Sequence, residues 1–78
     1  MLYIQTKDGS MIVNMDKVIN VEVIESHNSL QKCSIVATLD HASQTMGEYD
    51  RIADADKKFM EFTEWISTVK KVSNLFQF

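Results

Sequence analysis

Between Ala55 and Val72 the apolar residues Ala55, Phe59, Phe62, Ile66 and Val69 recur at spacings of four, three, four and three. At about 100° per residue these positions share one face of an α-helix. The chain before Ala55 carries apolar residues in short alternating runs, the period of strands. Such strands need an apolar surface to lie against, and this helix is the only candidate. A chain of 78 residues holds one core, so the expectation is a single domain, 1–78. A core that small leaves little volume for a deep pocket.

Leu2, Ile4 and Thr6 alternate with Tyr3 and Gln5, and Asp8-Gly9 separates this run from Met11-Ile12-Val13. Asp-Gly between apolar runs predicts a hairpin with a two-residue type I′ turn, pairing Lys7 with Ser10, Gln5 with Ile12 and Ile4 with Val13. Asn14 and Asp16 favour a turn. From Val18 to Glu25, Ile19, Val21 and Val23 face one way and Asn20 and Glu22 the other. Ser26-His27-Asn28-Ser29 forms a polar loop, and the next strand turns Cys33, Ile35, Ala37 and Leu39 inward. After a turn at Asp40–Ser43, Met46 and Tyr49 lie three residues apart, which breaks alternation. Gly47 between them predicts a β-bulge that lets both point inward.

The expected fold class is therefore α+β: an antiparallel meander of about five strands packed by one C-terminal helix. The expected strands are 2–6, 11–13, 18–25, 31–39 and 44–49, and the helix is 52–72. Asp50 is the expected cap, with Asp54 and Asp56 at the positive end of the helix dipole and Lys70 and Lys71 at the other. Leu75-Phe76-Gln77-Phe78 is a short apolar tail. Short connections suit antiparallel neighbours and leave no room for parallel crossovers. Whether the sheet stays open or rolls into a partial barrel is left open by the sequence.

Three features together resemble a known pattern: Asp16-Lys17-Val18-Ile19 leading into Val21-Glu22-Val23, the segment Met46-Gly47-Glu48-Tyr49-Asp50, and an Ala-containing amphipathic helix. It is similar to small uncharacterised proteins of Gram-positive bacteria, their phages and plasmids, in which Gly-Glu-Tyr and a helix close a β-meander. The resemblance implies the fold and a mobile-element origin. It carries over no catalytic residue.

The net charge is −3. From Asp40 to Glu64 seven acids face only Arg51, Lys57 and Lys58. No cluster of Lys and Arg is present to neutralise phosphates, so direct nucleic-acid binding is not expected. The lone Cys33 excludes an internal disulfide and favours a reducing interior such as the cytoplasm. No basic n-region precedes an apolar run and no segment is long enough to span a bilayer, so no membrane association is expected.

Catalysis is not expected either. Cys33 lies on the inward side of a strand, where a thiol is an inert small hydrophobe. His27 and His41 stand in a loop and a turn without metal-ligand spacing, and Asp40 beside His41 points away from it in such a turn. Gly9 and Gly47 each stand alone, so no phosphate loop is present. No cofactor and no metal are expected.

The helix carries more apolar surface than one sheet face requires. Trp65, Val72 and Phe76 flank its stripe, and Met60 lies toward the polar side. Either a curled sheet buries Trp65, or Trp65, Phe76 and Phe78 with Met60 form a patch for another protein. The expected function is a non-catalytic protein-binding module, a phage- or plasmid-encoded accessory or inhibitor. A homodimer through that flank or an unprotected edge strand is a further expectation. The alternatives are an acidic nucleic-acid mimic using Glu48, Asp50, Asp54 and Asp56, or a small-ligand sensor.

Overall fold

The computed structural model describes residues 1–25 and 32–78. The expected loop Ser26–Ser29, with His27, and the expected strand start at Gln31 lie outside the described residues. Among those described, the elements run β1 (Tyr3–Gln5), β2 (Ile12–Asn14), a 3₁₀ turn (Met15–Lys17), β3 (Val18–Glu25), β4 (Cys33–Leu39), β5 (Ser43–Tyr49), α1 (Ile52–Ser67) and β6 (Leu75–Gln77). The class is α+β. The strands form two three-stranded sheets, ordered β2-β1-β6 and β3-β4-β5, rather than one five-stranded meander. No closed barrel forms among them.

The division falls at the 3₁₀ turn. The Asn14 side chain accepts the Asp16 backbone N–H at 2.9 Å, and this local bond redirects the chain so that β2 and β3 do not pair. The first hairpin has the expected register, with Ile4 opposite Val13 and Gln5 opposite Ile12. Its turn lies one residue earlier than expected. The Gly9 N–H donates to the Thr6 carbonyl, which makes Lys7 and Asp8 the central pair, and Gly9 takes φ 79°. The cause is Asp8, whose carboxylate takes the Ser10 N–H at 2.9 Å, the donor that a two-residue turn would need.

Two irregularities set which residues face inward in the second sheet. Ile35 stands opposite Gly47 and Val36 opposite Thr45, so Met46 is the extra residue of a bulge, and both Met46 and Tyr49 reach the core as expected. A second bulge, not expected, lies between Val18 and Asn20. It turns Ile19 out to 68% exposure, away from the face it was expected to share with Val21 and Val23.

Helix α1 touches β3, β4 and β5, packing on the face that carries Cys33, Ile35 and Ala37. Ala55 is fully buried and Phe62 nearly so, with Phe59, Trp65 and Ile66 half-buried along the same stripe. The helix ends at Ser67, five residues early, and Val69 is 97% exposed instead of extending the stripe. Hydroxyls account for this. Ser67 Oγ donates to the Thr63 carbonyl at 2.8 Å and Thr68 Oγ1 to the Glu64 carbonyl at 2.6 Å, while Thr68 itself turns to an extended ψ of 127°. At the other end Arg51 occupies the cap position and makes no side-chain cap bond, so Asp50 stands one residue too early to cap.

The tail is a strand. β6 pairs with β1 in parallel, Ile4 opposite Phe76, with the Tyr3 N–H donating to the Asn74 carbonyl at 2.8 Å and the Phe78 N–H to the Gln5 carbonyl at 2.9 Å. The limit on parallel crossovers holds only for strands close in sequence, and here nearly the whole chain is the crossover. No helix among the described residues is long and apolar enough to cross a membrane.

The bulge gives a direct test. A Cβ at Gly47 would stand 2.9 Å from Tyr49 Oη and 3.2 Å from Lys7 Cβ. Tyr49 is buried and cannot yield freely, so Gly47→Ala is expected to lower stability by roughly 1–3 kcal/mol in urea unfolding. An unchanged midpoint would show that the two sheets part more easily than this contact implies.

Candidate interaction surface

The aromatic residues at the end of α1 meet those of β6. Phe62 lies 5.2 Å from Phe78, 5.6 Å from Phe76 and 6.1 Å from Trp65, between ring centroids, and Trp65 lies 5.5 Å from Phe76. These separations are those of favourable tilted and edge-to-face pairs. The Trp65 indole N–H donates to the Ser73 carbonyl at 2.9 Å, which fixes the returning chain. Phe78 is 4% exposed and belongs to the core, while Trp65 and Phe76 are half-buried. The strand pairing of the tail is the reason, since it turns Phe76 and Phe78 toward Phe62. Three of the four residues expected at a partner-binding patch are thus packed on one another.

Met60 is the exception, at 64% exposure. It sits on the outer face of α1 in a shallow depression lined by Ala53, Asp56, Lys57, Met60, Glu61 and Glu64. Helical periodicity places these residues together, at steps of three and four. Three carboxylates and one ammonium rim an apolar floor. Lys58 Nζ contacts Glu61 at 3.0 Å from the flank, a partly exposed pair one turn apart.

The acidic residues expected to act together are divided by the sheet. Glu48 pairs across from Ser34, on the face opposite the helix, and its backbone carbonyl accepts Lys7 Nζ at 2.8 Å. Asp54 and Asp56 are on α1, and Asp50 is exposed in the bend before it. Glu48 therefore does not join the helix carboxylates in one patch.

A second concavity, of about 530 Å³, lies between the first hairpin turn and β5, lined by Thr6–Asp8, Ser10 and Gln44–Glu48. The polar groups of its hairpin wall are engaged with one another. Asp8 accepts the Ser10 N–H, the Thr6 hydroxyl and the Ser10 hydroxyl, the last two at 2.7 Å. Lys7 donates its backbone N–H to the Met46 carbonyl at 2.7 Å and lays its ammonium 4.3 Å from the Tyr49 ring centre. Lys7 joins the two sheets here, while the Asp8 net occupies the polar groups of the hairpin wall.

Cys33 is buried, and burial pushes its thiol up, helped by the nearby Glu25 and Asp56 carboxylates. Burial likewise raises Tyr49, with the Glu61 charge adding to it. The neighbours Asp40 and His41, expected to point apart, instead approach to 3.4 Å between carboxylate and imidazole. Both side chains are almost fully exposed, so water screens the contact. His27 lies outside the described residues. Among those described, no three of His, Cys, Asp and Glu converge as metal ligands.

No protein-family model matches this chain, and neither a curated protein nor a solved structure matches it.

The hairpin net also predicts a pH response. The Ser10 N–H, followed by the Thr6 and Ser10 hydroxyls, holds the Asp8 carboxyl down from an ordinary 3.8 to about 2. A depressed carboxyl stabilises the fold fully above its unfolded value, and the effect is lost as pH falls through the folded value. Unfolding free energy should therefore drop between about pH 4 and pH 2 more steeply in the wild type than in Asp8→Asn. Parallel profiles would show that Asp8 lacks these bonds in solution.

Proposed function

We propose that this protein is a non-catalytic protein-binding module that presents the outer face of α1 to its partner. The supporting observation is Met60, a large flexible apolar side chain left exposed in a depression rimmed by Asp56, Lys57, Glu61 and Glu64. Methionine adapts to varied apolar surfaces, and exposed apolar side chains within a polar rim are the usual composition of a contact site. A partner that fits this face offers an apolar anchor flanked by Lys or Arg. The resemblance to small Gram-positive, phage and plasmid proteins adds an accessory or inhibitory role in a host, and the unpaired Cys33 suits the cytoplasm.

Acidic mimicry of a nucleic acid is the weaker reading, because Glu48 faces away from the helix carboxylates. A small-ligand sensor is weaker too, because the hairpin wall of the concavity commits the side chains of Thr6, Asp8 and Ser10 to one another.

Display of a random peptide library on the intact protein tests the proposal. Enriched peptides should combine basic residues with an apolar anchor. Met60→Ser should weaken them about tenfold, the scale of one lost anchor, and Glu61→Lys with Glu64→Lys should weaken them further. Peptides that bind the variants as tightly as the wild type would place the contact elsewhere.

A further inference from the structure

The two sheets present four edges, and three of them are short or occupied. β2 and β6 are three residues long each. On β5, the Met46 carbonyl accepts the Lys7 N–H and the Glu48 carbonyl accepts Lys7 Nζ, so the hairpin covers that edge. β3 differs. It is eight residues long, pairs with β4 on one side, and has no strand on the other among the described residues. It contains no proline. An edge of this length offers a row of backbone donors and acceptors to another strand.

We infer that this edge pairs antiparallel with β3 of a second copy, about a two-fold axis at Val21. A two-fold axis through the sheet sets residues of the same face opposite each other, which restricts the registers. Centring on Glu22 would oppose two carboxylates directly, and centring on Val23 pairs only Val21 to Glu25. Centring on Val21 pairs Asn20 with Glu22 on either side, and across the bulge Val18 with Val23. It sets each Asn20 amide opposite a Glu22 carboxylate, donor against acceptor, twice per dimer.

The exposed isoleucines agree with this register. The bulge turns Ile19 away from the core at 68% exposure, and Ile24, on the face opposite the helix, is 44% exposed. They lie at opposite ends of β3. The bulge groups Ile19 with Asn20 opposite Glu22. Pairing at Val21 therefore makes Ile19 of each copy the diagonal neighbour of Ile24 of the other on the same face, and both are covered in two symmetric contacts. The product is a continuous six-stranded sheet with both helices on one face. The helix face carrying Met60 is a separate surface, away from the β3 edge.

Sedimentation equilibrium over a wide concentration range, with circular dichroism on each variant, tests the pairing. The wild type should reach twice the 9.0 kDa chain mass. Ile24→Lys should remain folded and monomeric at the same concentrations. Asn20→Glu opposes like charges at two places and should weaken the dimer about tenfold or more. Adding Glu22→Lys to Asn20→Glu restores opposite charges in that register only, and should recover the dimer. A wild type that is monomeric throughout overturns the inference. So does a dimer that survives Ile24→Lys, or one that Asn20→Glu weakens and the double variant does not recover.

Discussion

The packing of Phe62 against Phe76 and Phe78 is the contact on which the rest of the structure depends. The helix lies on one sheet and the first hairpin belongs to the other, and β6 is the element that belongs to both arrangements. Its backbone pairs with β1, and its two phenylalanines pack on the helix. Without that strap the three-residue strands of the first sheet would have little to hold them, since an isolated hairpin is marginal in water. The aromatic rings supply apolar area and a defined geometry together. That is an efficient use of few residues in a domain with so small a core.

The bulge at Met46 makes the second connection between the sheets. An extra residue in β5 brings Met46 and Tyr49 to the same interior and aims the Met46 carbonyl outward, where the Lys7 N–H meets it. Gly47 leaves room for the Tyr49 ring, and the ring in turn supports the Lys7 ammonium. One local irregularity thus serves core packing, the sheet junction and the covering of an edge.

Those parts of the fold governed by neighbours in sequence were legible beforehand. Asp8-Gly9 between apolar runs set the hairpin register, and the three-residue gap between Met46 and Tyr49 exposed the bulge. The parts settled by distant contacts were not. Leu75–Gln77 is too short to declare itself a strand, although Phe76 and Phe78 at a spacing of two carry the signal. Val69 fitted the helical stripe, but the hydroxyls of Ser67 and Thr68 compete for backbone carbonyls that continued helix would use. Ile19 fitted an inward face, and only the β3–β4 register reveals that it is displaced. The candidate surface followed the same rule. Met60 lies on the polar side of the helix by periodicity alone, whereas the burial of Phe78 depends on a strand pairing with Tyr3–Gln5.

The parallel alignment of β1 and β6 has a mechanical consequence. Tension applied through the chain ahead of Tyr3 and beyond Gln77 pulls the two strands along their lengths in opposite directions. The bonds from Tyr3 to Asn74 and from Phe78 to Gln5 then bear the load simultaneously, in shear. An antiparallel arrangement of the same strands would open like a zipper, one bond at a time. Resistance to such pulling is set by the barrier to unfolding rather than by equilibrium stability. A domain with so small a core therefore carries, in its shortest strands, a clamp against being drawn apart.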